Sequence, residues 1–376
     1  SLNLSTLGDD LIKILFSENP GVILQVKNNA SEKLDELKIS YSVLGQIINT
    51  RELNIKHQQK TYQFSIDSLR DTWFKTSYLL DKKQRNPEHA KTRFENYKRQ
   101  PLEYSFQKNF TGKLSAYGID PKRRTPTGIK AAIIREKGVN GDREMAYSLY
   151  LAGFDVKDVH MTDLVTGRED LSDVNMIVFV GGFSNSDVLG SAKGWAGAFL
   201  YNPKAKQALD NFYKRNDTLS LGVCNGCQLM MELGLVYPEM GEQHPRMHHN
   251  GSGKFESTFI NLSIPENNSV MLGTLTGTRL AAWVAHGEGR FRLVEGTYAK
   301  GATYSYEQYP GNPNDSDNAV AALYSKDGRH LAIMPHIERS LFPWNWPYYP
   351  SNRKSDEISP WIEAFVNARD WIIKTS

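Results

Sequence analysis

Both cysteines of the chain lie in one short stretch, GVCNGCQLMMELG, residues 222–234. Cys224 stands between Gly222 and Gly226, after an apolar run and before a helix-forming one. That is the strand-turn-helix setting of the G-x-S-x-G nucleophile elbow, with cysteine in place of serine. The glycines suit a turn too tight for side chains, and a thiol at the start of a helix meets the positive end of the helix dipole, which favours the thiolate. A redox C-x-x-C pair, half of a zinc site and simple burial are the competing readings. A redox pair typically opens a thioredoxin-like domain, whereas Cys224 comes 95 residues after Ile129, where the α/β pattern begins. Zinc needs further soft ligands, and the chain has only 2 cysteines. Burial is the expected fate of Cys227.

A thiolate nucleophile needs a base and a group to orient that base. HLAIMPHIERS supplies His336 and Glu338, two residues apart beyond an apolar strand and so on the same side of an extended chain. Taken alone, an H-x-E pair at a strand end is equally an exposed pair without a task. In VFVGGFS, Gly181 and Gly182 follow another strand, where bare N–H groups can face the crevice at the C-terminal ends of the strands and hold an oxyanion. The competing reading is a tight turn with no ligand. The glycine-rich loop VAHGEGR, residues 284–290, is a weaker candidate pocket wall. His244, His248 and His249 in HPRMHHN read as a polar loop, and no metal is expected.

The elements that must position these groups can be read from rhythm. From Ile129 onward IKAAIIRE, FDVKDVHM, MIVFVGGFS and LSLGV read as strands, and REMAYSLYLAGF, AKQALDNFYKRND and QLMMELGLV as helices. Such alternation predicts an α/β fold with an open, mostly parallel sheet flanked by helices. AVAALYSKDGRHLAIMPH reads as a hairpin about Asp327 and Gly328. A last helix is expected from Ser359 and Pro360, with Trp361, Phe365 and Ile372 on one face. Upstream the character differs: GVILQV, 21–26, reads as a strand, and 71–100 as an exposed helix ending at Pro101. The pattern is an incomplete α+β unit, followed by Pro- and Gly-containing, charged residues that read as a linker. The aromatic stretch LFPWNWPYYP, 341–350, reads as domain or core packing, a lid or an exposed loop.

At 376 residues two domains are expected. No apolar run approaches the roughly 18 residues that cross a bilayer. A net charge of +3 without a basic block lacks the footprint of a nucleic-acid binder. A small-molecule or protein partner is expected, with neither nucleic acid nor membrane. So few cysteines leave no room for a disulfide framework, which suggests a reducing cytosol and a cytoplasmic protein. The start, SLNLSTLGDD, has neither Met nor a signal-peptide pattern and reads as the cut end of a longer chain.

In order, the segments REKGVNGDREMAYSLYLAGFDVKDVHMTDL, VGGFSNSDVLGSAKGWA, LGVCNGCQLM, AHGEGRF and MPHIER resemble the class I, or triad, glutamine amidotransferase domain of the formylglycinamide ribonucleotide amidotransferase family, the phosphoribosylformylglycinamidine synthases. GGFSNSDVLGSAKGWA is the most specific of these, since other triad amidotransferases share the cysteine elbow but not this run. The resemblance implies a flavodoxin-like glutaminase at 128–376, a linker at 106–127, and at 1–105 the C-terminal part of the second, aminoimidazole ribonucleotide synthetase-like half of the long single-chain form. It implies Cys224 as nucleophile, His336 as base and later acid, and Glu338 as orienter. Gly182 and Asn225 become oxyanion-hole donors, Gln228 a substrate contact, and His286, Gly287 and Glu288 the holders of the amino-acid end of glutamine.

The implied activity is the glutaminase half of an ATP-dependent ligase that makes formylglycinamidine ribonucleotide in purine biosynthesis. Ammonia would pass to synthetase domains upstream in the parent chain. ATP and Mg2+ are implied for the full-length enzyme and no cofactor for this part. Ile337 departs from the family, which usually has proline there, and 341–350 is more aromatic than the family leads one to expect. A cysteine hydrolase or peptidase of related fold is the alternative enzyme, and a domain that only binds and regulates a partner is the non-enzyme reading.

Overall fold

A computed structural model describes residues 1–26, 29–297 and 300–375. The chain forms two compact units, Ser1–Lys83 and Gln84–Ser376. In the first, β1 (Leu2–Asn3), β2 (Glu52–His57) and β3 (Lys60–Ser65) form a three-stranded sheet, β1 parallel and β3 antiparallel to β2. Helices α1 (Leu11–Phe16), α2 (Ala30–Glu36) and α3 (Ile66–Gln84) accompany it, and Leu4 and Ile55 are buried.

Two upstream expectations are corrected. Residues 21–26 form no strand: Val22, Ile23 and Leu24 are exposed and, among the described residues, no strand pairs with them, and a lone extended segment must leave its backbone groups to solvent. The single helix expected up to Pro101 is two, α3 and α4 (Pro87–Asn96). Pro87 cannot continue a helix but suits a first position, and the Asn86 side chain caps α4 by accepting from the Glu88 N–H at 2.9 Å.

The second unit is built on a nine-stranded sheet in the order β10-β9-β12-β13-β14-β7-β6-β4-β5. Its parallel part comprises β4 (Lys130–Arg135), β5 (Asp155–His160), β6 (Met176–Phe179), β7 (Leu219–Val223) and β14 (His330–Ile333). The rest, β9 (Glu256–Ser263), β10 (Arg279–His286), β12 (Lys300–Tyr304) and β13 (Val320–Tyr324), extends it antiparallel past β14. Residues 176–179 and 219–223 are wholly buried, as strands covered on both faces require. The connecting helices are α5 (Asp142–Ala152), α6 (Met161–Thr166), α7 (Lys193–Tyr201), α8 (Pro203–Lys214) and α9 (Asn225–Glu232), and α10 (Ile362–Thr375) closes the chain. A small ribbon, β8 (Arg246–His248) with β11 (Arg290–Arg292), lies apart from the main sheet. Gly153 ends α5 at φ +106, a left-handed position where glycine avoids the Cβ penalty.

The segment 106–127 packs on this unit. Phe110 and Ile119 are buried, and Arg123 Nη1 donates to Asp155 Oδ1 at 2.9 Å. In the aromatic loop Trp346 is buried, its Nε1–H donating to the Ser340 carbonyl at 2.7 Å and its ring edge-on to Tyr104 and Phe106, whereas Trp344 is exposed and stacked on Phe342.

Candidate active site

Strands β6, β7 and β14 are adjacent and parallel, so their C-terminal ends deliver three loops to one edge of the sheet. At the end of β7 the backbone turns through Cys224 at φ 52°, ψ −108°, and enters α9 at Asn225. A cysteine held in so sparsely populated a conformation marks an elbow that its surroundings enforce. The flanking glycines show what enforces it. A β-carbon at Gly226 would overlap the Phe179 carbonyl, and one at Gly222 would meet the Gly226 carbonyl oxygen.

His336 follows β14 and is fixed by its own N–H, which donates to the Trp283 carbonyl at 2.8 Å. Its Nδ1 lies 2.6 Å from Glu338 Oε1, with both side chains buried. The ring's other partner is the Cys224 side chain. Gly181, after β6, packs against both: a β-carbon there would stand 2.6 Å from His336 Cε1 and 3.3 Å from Cys224 Cβ. The Cys224 Sγ is 3.7 Å from the Ala285 carbonyl oxygen at the end of β10. Ile337, where the family usually has proline, is fully buried and leaves the pair intact.

Burial alone would push the His336 imidazole down, but the charges of Glu338 and Cys224 outweigh it and raise the pKa to about 10. The ring therefore holds its proton at neutral pH and gives up its charge only as pH rises through about 10. Replacing Glu338 by glutamine removes the strongest of these raising influences. In Glu338→Gln the 15N ring signals of His336 are expected to titrate lower, toward the ordinary imidazole range. An unchanged titration would show that Glu338 is not what holds the charge.

Cys227, on the first turn of α9, is buried, and burial first and Cys224 second push its thiol well above the usual range. It is thereby unfit as a partner in redox exchange. Among the described residues no group of three or more His, Cys, Asp or Glu could hold a metal. His244 turns its Nδ1 to the Pro245 carbonyl and His249 is exposed.

The remaining candidates form a network on the far side of Cys224. Gly182 adopts φ +145 where a β-carbon would strike Val139 Cα. Asn225 is the first residue of α9, so its N–H has no intrahelical acceptor. The Asn225 side chain accepts from the Ser184 N–H at 3.1 Å and donates to Gln228 Oε1 at 2.9 Å. Gln228 Nε2 in turn donates to the Glu288 carbonyl at 2.8 Å, so its amide spans α9 and the 284–290 loop. Glu288 Oε2 accepts from the Ser191 N–H at 3.2 Å, and the Gly287 carbonyl accepts from Asn250 at 2.8 Å. His286 is buried with both ring nitrogens lacking a partner among the described residues, and burial, then the charge of His336, lowers its pKa to about 3.

Sequence reasoning passed over Asp187. It belongs to the run Asn185–Asp187, three consecutive residues with φ near 50°. Its Oδ1 accepts from Asn225 Nδ2 and the Ala192 N–H, each at 3.3 Å. The only signal for it was an acid a few residues beyond the glycine pair, in a stretch that otherwise reads as a turn.

A cysteine elbow with a His–Glu pair beside it at the C-terminal edge of a parallel sheet is an arrangement suited to nucleophilic catalysis. Residues 128–372 match the CobB/CobQ-like glutamine amidotransferase domain, and the chain belongs to that family. Within it, the chain is 37% identical over 96% of its length to a Dictyostelium discoideum phosphoribosylformylglycinamidine synthase. It is 39% identical over 99% of its length to the probable chloroplastic/mitochondrial one of Arabidopsis thaliana, and 36% over 98% to the human one. The chain spans only about 30% of the length of these relatives: 30%, 28% and 30%. Among solved structures, PurLQS from Thermotoga maritima superposes with a TM-score of 0.50 at 22% identity, covering 66% of this chain and 99% of that one, which supports the fold.

Proposed function

We propose that this chain is a glutaminase and supplies ammonia to a larger phosphoribosylformylglycinamidine synthase. The observation that carries the reading is the strained Cys224 elbow sharing Gly181 with a His336 ring held by Glu338. The Cys224 thiolate attacks the side-chain carbonyl carbon of glutamine, and the Gly182 and Asn225 N–H groups receive the oxyanion. His336 passes its proton to the departing nitrogen, so that ammonia leaves and a glutamyl thioester remains. The neutral ring then takes a proton from water as its oxygen attacks the thioester. Glutamate departs, and thiolate and imidazolium are restored. Gln228 supports the pocket from behind by tying α9 to the Glu288 loop.

In the full reaction the ammonia would convert formylglycinamide ribonucleotide to its amidine at synthetase domains that use ATP and Mg2+. No step through either group is assigned to this chain. Residues 1–105 are read as the end of the second synthetase half and 128–376 as the glutaminase. Within the second unit, Phe110 and Ile119 are buried and Arg123 is bound to Asp155. A cytoplasmic location is part of the same reading. No helix among the described residues is long and apolar enough to cross a membrane.

Glutamate release from glutamine, with a mass increment of one glutamyl group on Cys224 after acid quench, is the expected result. Peptide cleavage by Cys224 with neither of these would instead support the cysteine-hydrolase reading.

A further inference from the structure

We propose that a cleft at the opposite edge of the sheet, floored by His330 and Ser220, binds a nucleoside monophosphate, with the base against His330 and Tyr213 and the phosphate beside Lys214 and Lys326. The inference is independent of the glutaminase reading. The cavity, of about 710 Å³, lies between the end of α8, the turn after α9 and the turn joining β13 to β14. Its volume is within the roughly 300–1,000 Å³ of small-molecule sites. Ser220 and His330 are register partners at the starts of β7 and β14. Cys224 and His336 follow the other ends of the same two strands, so the cleft stands on the order of 13 Å from the elbow along the sheet.

His330 is 4% exposed, and its ring nonetheless lines the cleft. The Tyr213 O–H donates to Ser220 Oγ at 2.8 Å, and Ser220 Oγ lies 3.0 Å from His330 Nδ1. A hydroxyl that already accepts from Tyr213 has its own proton to give, so the network assigns Nδ1 as acceptor and puts the ring hydrogen on Nε2. No partner takes that Nε2–H among the described residues. Burial lowers the His330 pKa to about 4, so the ring is neutral and offers a donor without a charge. A sheltered neutral donor fits a ring nitrogen or carbonyl oxygen of a heterocycle, whereas an anion there would lose more hydration than one hydrogen bond offsets. The Tyr213 ring, 4.5 Å from the His330 ring and tilted by 38°, joins Leu233, Leu235 and Pro238 in a wall on which a flat ring can lie. At the mouth the charges are different. Asp210 is held by Lys206 at 2.7 Å and Asp327 by Arg329 at 2.7 Å. Lys214 and Lys326 are exposed, and neither has a carboxylate within ion-pair distance among the described residues. Glu239 is the other acid lining the cleft, which leaves the mouth weakly positive and suited to a phosphate outside a neutral, apolar interior.

The test follows the 15N ring signals of His330 and the heat of binding, with AMP and UMP as probes and adenosine, ribose 5-phosphate and inorganic phosphate as their parts. Both nucleotides are expected to move the His330 Nε2 signal saturably and to bind more tightly than any of the parts. In the double variant Lys214→Ala with Lys326→Ala, AMP should bind about tenfold more weakly while adenosine is unchanged. In His330→Phe, which keeps a ring and loses the Nε2 donor, AMP and adenosine should both weaken by about tenfold. A merely structural His330 would lower the thermal midpoint and leave the adenosine affinity of the folded protein where it was.

Failure of both nucleotides to bind at millimolar concentration, or binding that leaves the His330 signals in place, would overturn the proposal. So would inorganic phosphate binding as tightly as AMP, which reduces the cleft to a plain anion patch, or an AMP affinity unchanged in all the variants. Should His330→Phe fail to fold because Ser220 loses its partner, the wild-type His330 signals and the lysine variant, which alters only exposed side chains, carry the test. Glutamine turnover is not among these readouts, so loss of the glutaminase reading would leave this inference standing, and its own failure would leave that reading untouched.

Discussion

Cys224→Ala is expected to abolish glutamate release, by on the order of 10⁴-fold or more, since loss of a nucleophile from an acyl-transfer triad leaves only the contribution of binding and the oxyanion donors. Binding of glutamine should persist within a few-fold by calorimetry, because the proposed contacts at Glu288, Gly182 and Asn225 remain. Cys227→Ala is the informative contrast. Its thiol is buried in the first turn of α9 and pushed well above the usual range, so it packs rather than reacts. That variant should lose about 1–2 kcal/mol of stability and keep its turnover. Residual activity in Cys224→Ala, or its loss in a folded Cys227→Ala, would assign the chemistry to the wrong sulfur.

Gly226→Val should be the most destabilising single change at the elbow. A β-carbon at Gly226 overlaps the Phe179 carbonyl of β6, which is backbone and part of the central ladder. Neither a rotamer change nor a flexible side chain can relieve that clash. Overpacking a well-filled core costs roughly 1–3 kcal/mol, and forcing helix α9 off the sheet is expected to reach the top of that range or beyond it. The denaturant midpoint of Gly226→Val should fall accordingly. Gly273→Ala serves as the comparison, since a β-carbon there meets nothing within 4 Å and should shift stability by no more than about 0.5 kcal/mol. Equal midpoints would mean that the elbow can move away from β6, and the strain at Cys224 would then need another source.

The two variants probe different parts of one device. Alanine at position 224 removes the reacting atom and leaves the loops that present it. Valine at 226 leaves the atom and removes its presentation. The elbow reading requires both losses, one seen in turnover and the other first in folding.

Local chemistry was legible wherever it depends on neighbours in sequence. The strand-turn-helix about Cys224 could be read because Gly222 and Gly226 are spaced for a close turn, and Gly153 marks a helix end for a backbone reason that needs no tertiary partner. His336 and Glu338 could be paired because residues two apart in an extended chain share a side. The strand at 21–26 could not be judged in the same way, because an apolar run becomes a strand only when a neighbour takes its hydrogen bonds. Among the described residues none does. The single helix expected up to Pro101 failed at Asn86 and Pro87, a cap and first-turn pair that breaks as readily as it begins.

By itself, then, the sequence determined the alternation of strand and helix, the parallel character of the core strands, the elbow and the identity of the groups able to form a triad. Only the tertiary structure decided that β6, β7 and β14 stand side by side, so that Gly181, Cys224 and His336 meet although they are 43 and 112 residues apart along the chain (224 − 181 and 336 − 224). It alone brought Asp187 to Asn225, and turned Gln228 to the Glu288 carbonyl. The reason is that backbone conformation and side-chain spacing are set within a few residues. Burial, charge proximity and the pKa of His336 depend on which distant segments the packed sheet places together.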